Sequence, residues 1–167
     1  KTVYSTFSHN NESASPGYYQ VYLDSYGINV ELTAALRSGV QRYQYSPQST
    51  KGSVKLDLGY ARNWDKTIDS HIQIINNRTI AGYRKSTGWA KDQRVYFYTQ
   101  FSRPFTDHQI TQGEQTHQQQ QASGTKLSSQ FYFDLTQNKQ VEVRTAISSV
   151  SIDNAKLNFE QDKAHHS

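Results

Sequence analysis

Hydrophobic and polar positions alternate with a period of two along most of the chain. In "YYQVYLDSYGINVELTA" the alternating runs Tyr18–Leu23 and Ile28–Thr33 flank the turn-forming Asp24-Ser25-Tyr26-Gly27, a pattern that predicts a β-hairpin. Further strands are predicted at Val40–Tyr45, Val54–Leu58, His71–Ile75, Thr79–Lys85, Val95–Phe101, Lys126–Phe133 and Gln140–Ser148, each bounded by Gly, Pro, Asn or Ser clusters. "NNRTIAGYRKS" reads as a second hairpin, with Asn76-Asn77 expected to supply left-handed turn residues. Many short strands at this spacing imply a sandwich or a barrel.

Two stretches depart from this pattern. Between Thr106 and Gly124, "TDHQITQGEQTHQQQQASG" is polar throughout and reads as a long surface loop or an irregular strand edge, with a functionless low-complexity insertion as the plainer alternative. At the end, "SIDNAKLNFEQDKA" changes period: Ser151 is placed as an N-cap, Asp153 lies near the positive helix end, and Ala155, Leu157 and Phe159 follow among polar residues. A short helix near residues 151 to 163 is expected, leaving the sheet or serving as a linker.

Composition supports the strand-rich reading. Of the 167 residues only 34% are hydrophobic, but 12 Tyr and 7 Phe supply large surfaces for a core, each worth roughly 1.5–3 kcal/mol when fully buried. Aromatic residues also favour a pleated, half-buried surface. The net charge of +4 is spread singly among acidic residues, without the basic stripe that nucleic-acid binding needs. With no cysteine there is neither a disulfide framework nor a thiolate centre. No run of 18 apolar residues is present to span a membrane, and no signal segment is visible at the start. The sequons Asn11-Glu12-Ser13 and Asn77-Arg78-Thr79 matter only in a glycosylating host.

Catalytic chemistry is sparse in the sequence. Glycoside cleavage needs a carboxylic acid to protonate the leaving oxygen and a second carboxylate opposite it, yet Glu12, Asp57, Asp65, Asp92 and Glu160 stand isolated in unlike contexts. The six histidines show no H-x-H or H-x-x-x-H spacing, and no nucleophile elbow, P-loop or dinucleotide fingerprint occurs. No catalytic and no metal residue is therefore nominated. What remains are three polar-aromatic clusters: His9-Asn10-Asn11-Glu12 before Pro16-Gly17, Arg62-Asn63-Trp64-Asp65, and Gly88-Trp89-Ala90-Lys91-Asp92-Gln93. Each Trp is either a loop anchor or a platform on which a sugar stacks.

The segments "FSHNNESASPGYYQVYL", "GINVELTAALRSGVQRYQY", "KLDLGY", "IAGYRKSTGWAKDQRVYFYTQFSRPF" and "VEVRTAISSVSIDNAKLNFE", taken in order, resemble the N-terminal β-sandwich domain of glycoside hydrolase family 92, the calcium-dependent exo-acting α-mannosidases. The resemblance covers nearly the whole chain. It implies an all-β, antiparallel, supersandwich-like β-sandwich over residues 1–150 and a short helix or linker over 151–167. It also implies that the chain is a fragment, with more sandwich upstream and a large (α/α)6 catalytic domain downstream in the same polypeptide. Asn10 departs from a family segment resembling Ser-His-Glu-Asn, so a role carried by that carboxylate would be absent.

The family's activity is release of terminal mannose from α-mannosides, notably N-glycans, with inversion. By this resemblance the acid, base and calcium ligands belong to the helical domain, and this chain alone is expected to hold no cofactor and to be inactive. Its expected part is to pack on that domain and lend loops to the pocket, with Trp89, Asp92, Gln93, His9 and Glu12 as the candidate substrate-binding residues and mannose-containing glycans as partners. A periplasmic, cell-surface or secreted location is implied. A stand-alone carbohydrate-binding or structural sandwich is the alternative.

Overall fold

A computed structural model of the chain describes residues 20–23, 27–31, 39–59, 66–87 and 93–166. Two sheets face one another across a single apolar layer. The first has seven strands in the order β1 (Gln20–Leu23), β3 (Gly39–Tyr45), β12 (Gln140–Ser148), β7 (Gln93–Phe101), β6 (Thr79–Thr87), β5 (Lys66–Asn76) and β10 (Gln121–Ser123). The second has five, in the order β2 (Gly27–Glu31), β4 (Lys51–Asp57), β11 (Leu127–Asp134), β8 (Asp107–Gln112) and β9 (Gln115–His117). The fold is the all-β sandwich expected, closed by a C-terminal helix, Ile152–His166.

The alternation decides which side chains enter the layer. On β7, Phe97, Thr99 and Phe101 are buried, whereas Tyr96, Tyr98 and Gln100 face outward. β11 repeats the pattern with Leu127, Ser129, Phe131 and Phe133 inward. The core is consequently built on rings: Phe101 lies 5.5 Å from Phe131 and 5.3 Å from Phe133, and Phe105 lies 4.9 Å from Phe131. These tilted and edge-on contacts make up for the scarcity of aliphatic residues. Several polar groups drawn into the layer are paired, as with Tyr45 Oη donating to Ser53 O at 2.9 Å and the Thr99 and Thr145 hydroxyls 3.0 Å apart, whereas among the described residues Ser129 Oγ is buried without a partner.

The first predicted hairpin is not one. β1 and β2 belong to different sheets, β1 pairing in parallel with β3 and β2 in parallel with β4. Period-two alternation identifies both segments as strands, but a sandwich has two sheets and alternation does not say which one a strand joins. The second hairpin is correct, β5 pairing with β6 in antiparallel fashion around Asn77-Arg78. Its expected left-handed residues are absent, since no non-glycine residue among those described has positive φ. Instead Asn76 Oδ1 accepts from Arg78 N at 2.9 Å, and a register shift between Ile74 and Asn76 absorbs the turn.

The polar stretch 106–124 is a strand edge rather than a loop. β8 contributes Ile110, which is fully buried, β9 pairs with β8, and β10 crosses to pair with β5. The glutamine run therefore bridges the free edges of both sheets on one side. Main-chain bonds hold it, among them Ile74 N to Gln120 O at 2.8 Å and Gly124 N to Ser70 O at 2.9 Å. An edge strand needs few apolar side chains, which is why hydropathy does not reveal it.

At the break after β7, the Arg103 guanidinium donates to the carbonyls of Asn138 and Asp134 and ties the crossing chain to the β11–β12 loop. The helix begins as its cap predicts, Asn154 N donating to Ser151 Oγ at 3.0 Å. It lies on the outer face of the seven-stranded sheet, with Ala155 and Phe159 buried and the Phe159 ring 5.1 Å from Tyr98. Leu157 is half exposed, because two residues along a helix is a turn of about 200° away from the sheet.

Candidate functional site

One end of the sandwich is polar where the rest of the layer is apolar. β6 carries Ile80, Gly82, Arg84 and Ser86 on its inner phase, so an arginine and a serine continue a row that begins with core residues. Arg84 is only 3% exposed. Its Nε donates to Leu58 O at 3.2 Å and its Nη2 to Thr67 Oγ1 at 2.9 Å. A buried guanidinium is tolerated only when its donors are met in this way. Ser86 and Thr67 are buried beside the same strand ends.

Gln93 opens β7 directly opposite Ser86, one inward position from Val95, which faces Arg84 across the ladder. Among the described residues its Oε1 is buried and finds no hydrogen-bond partner. A buried amide oxygen left without a donor costs about 1–3 kcal/mol, so a donor from outside the described residues is called for. Leu58 N is held by Leu127 O at 2.9 Å, and Gly59 N turns back onto Asp57 Oδ1 at 2.9 Å, which fixes where β4 ends.

The chain leaves this end in the stretches 60–65 and 88–92, which contain Trp64 and Trp89. Of the five residues expected to touch substrate, the structure places Gln93 alone; Trp89, Asp92, His9 and Glu12 lie outside the described residues, as does the Arg62 to Asp65 cluster. The structure adds Arg84, a residue outside the three polar-aromatic clusters. Its signal was legible: in "TIAGYRKS" it stands in phase with Ile80 and Gly82, where an alternating strand puts core.

No three His, Asp or Glu side chains gather among the described residues as a metal site would require. No helix among them is long and apolar enough to cross a membrane.

These features define an all-β, two-sheet sandwich domain with a buried arginine and an unmatched amide at one end. Residues 1–148 match the glycosyl hydrolase family 92 N-terminal domain, and the chain belongs to that family. Among solved structures it is similar to the family GH92 alpha-mannosidase BT3965 from Bacteroides thetaiotaomicron, with 31% identity and a TM-score of 0.67. That alignment covers 77% of this chain and 18% of the mannosidase.

The inverting mannosidase BT2199 from the same organism shares the fold at 21% identity and a TM-score of 0.60, over 75% of this chain and 16% of that one. The GH92 glycosyl hydrolase ccman5 does so at 21% identity and a TM-score of 0.64, with the same coverage. No curated protein sequence matches. The chain thus spans less than a fifth of the length of the mannosidases it resembles.

Proposed function

We propose that the chain is the non-catalytic sandwich portion of an exo-α-mannosidase that releases terminal mannose from α-mannosides of the N-glycan type. In this reading it packs on an (α/α)6 domain of the same polypeptide, and the polar end of the sandwich walls the sugar-binding pocket. The observation that carries the reading is the pairing of a buried Arg84 with the unmatched Gln93 Oε1 at the end from which the Trp89 stretch departs. An amide oxygen that lacks a donor is suited to a sugar hydroxyl, and an indole ring to the apolar face of a pyranose.

The carboxylic acid and the water-activating carboxylate belong to the companion domain, where inversion sets them about 6.5–9.5 Å apart to admit the water. By the family resemblance calcium belongs to that domain as well. What this chain supplies is exclusion of water and orientation of the sugar. The protein is placed outside the cytoplasm, where N-glycan substrates are met.

The test uses the intact polypeptide. Trp89→Ala and Gln93→Ala should each lower kcat/KM on an α-mannoside by about 10–200-fold, with unfolding midpoints close to wild type. Proton spectra taken during early turnover should show β-mannose first. Variants that lose stability but keep full turnover per folded molecule would make both residues anchors and overturn the reading.

A further inference from the structure

The outer face of the five-stranded sheet holds a second feature, remote from the polar end and on the opposite side of the sandwich from the C-terminal helix. An open cleft of about 630 Å³ lies over the strand ends of β4, β11 and β8, within the roughly 300–1,000 Å³ range of small-molecule sites. Tyr132 is its central ring, facing outward between Ser53 on one neighbouring strand and Asp107 on the other.

The polar groups around that ring are arranged in advance. Tyr132 Oη donates to Gln109 Oε1 at 3.1 Å, which leaves the Gln109 amide nitrogen available. Asp107 accepts from His108 N at 2.8 Å and Gln118 Nε2 at 2.9 Å, both on Oδ1. Asp134 accepts from Thr136 N and Thr136 Oγ1, again on Oδ1 alone. In each carboxylate the second oxygen is left for a ligand. Lys51 stands opposite Asp134 in the β4–β11 register, beyond ion-pair distance of it.

Thr136 holds the Asp134 carboxyl below its usual range through a backbone and then a side-chain hydrogen bond, so it stays an acceptor. Burial, with Asp107 nearby, pushes the Tyr132 phenol up, so it stays a neutral ring.

We infer that this cleft is a secondary sugar-binding site, taking a neutral hexose against the Tyr132 ring with its hydroxyls shared among Lys51, Gln109, Asp107 and Asp134. The chemistry selects this class. Asp107 and Asp134 are offset by Lys51 in the cleft and by Arg103 and Lys139 beside Asp134, so no net charge calls for an ionic ligand; the charged and amide groups of the lining disfavour a wholly apolar one, and donors and acceptors around one aromatic ring match a polyol with an apolar face. The site needs no part of the mannosidase reading and stands or falls apart from it.

The experiment measures binding of D-mannose, D-glucose and D-galactose to the intact polypeptide by saturation-transfer NMR and calorimetry, with inorganic phosphate as the anionic comparison. At least one hexose should bind, and Tyr132→Ala should weaken it roughly tenfold or more, the scale of one well-placed contact, with the circular-dichroism spectrum unchanged. The exposed pair Lys51→Ala and Gln109→Ala, which leaves the ring and the core in place, should weaken the same hexose together. Hexose binding that is indifferent to all three substitutions, absence of any binding, or tighter binding of phosphate than of every hexose would overturn the inference.

Discussion

Gly82 is the position where the packing argument can be tested most severely. It sits mid-strand in β6, opposite Ile72 on one side and Phe97 on the other. A Cβ built there would stand 2.0 Å from His71 O and 2.9 Å from two atoms of the Phe97 ring. The first of these is about 1 Å inside the closest approach that Cβ atoms show, and it is backbone, held between two hydrogen-bonded neighbours. Relief would require β5 and β6 to part by that amount and the fully buried Phe97 to shift as well.

Overpacking of this kind costs about 1–3 kcal/mol where side chains can yield, and a backbone obstacle puts Gly82→Ala at the upper end, about 3 kcal/mol. For a domain of this size each kcal/mol lowers Tm by about 2–4 °C, so a fall of roughly 6–12 °C is expected. Gly113→Ala is the control. With φ of +61° and nothing within 4 Å of its Cβ, only the left-handed conformation opposes it, for about 1–2 kcal/mol. Urea unfolding followed by circular dichroism would measure both. A Gly82→Ala variant within 1 kcal/mol of wild type, or one less affected than Gly113→Ala, would refute the close approach between β5 and β6.

Other outcomes follow from the same geometry. Phe97→Ala should cost about 3–5 kcal/mol through the cavity it leaves in the ring cluster, read as a shift of the urea midpoint at constant slope. Removing the helix cap with Ser151→Ala should cost about 1 kcal/mol, seen as a lower Tm. Tyr45→Phe should cost about 0.5–1.5 kcal/mol at neutral pH through loss of the bond to Ser53 O. It should also make stability fall less on the alkaline side. Burial raises the Tyr45 phenol well above its ordinary range, so the unfolded chain releases that proton first and stability is lost as pH rises past about 10; without the phenol, that part of the loss disappears. Thermal unfolding from pH 8 to 11 would show whether the two curves converge.

Strand existence was legible because burying one face of a sheet forces a period of two on the residues. Gln140–Ser148 was placed at both ends, and Val95–Phe101 missed only the two residues that open β7. Partnership was less legible. Tyr18–Leu23 and Ile28–Thr33 look like a hairpin because a short polar connection between alternating runs fits one, yet β1 and β2 belong to different sheets. The residues that decide this are the distant ones they pair with, such as Tyr43 for Val21 and Val54 for Ile28. Edges were hardest to see. From Asp107 to Ser123 the strands are held by main-chain bonds and glutamine amides, and Ile110 is their one wholly buried apolar residue.

The site was legible in a different way, through chemistry out of phase with its surroundings. Gln93 was chosen for its place beside Trp89, and the structure gives it a further distinction, an amide oxygen sealed from solvent without a donor. Arg84 was overlooked because "GYRKS" reads as an ordinary basic strand end, although counting by twos from Ile80 puts the arginine inside. The two residues reinforce one another. An arginine enclosed at the end of an apolar layer raises the local potential, which favours acceptors and any ligand rich in hydroxyl oxygens nearby, while the glutamine oxygen asks for a donor. A sugar hydroxyl is both. Replacing Arg84 with Met, which keeps the length and removes the charge, should therefore do more than leave Leu58 O and Thr67 Oγ1 without their donor. It should cost about 1–3 kcal/mol of stability through the lost donor to Leu58 O, and in molecules still folded at low temperature it should raise KM for an α-mannoside more than it lowers kcat. A stability loss with unchanged KM would confine Arg84 to the architecture of the sandwich and leave Gln93 to act alone.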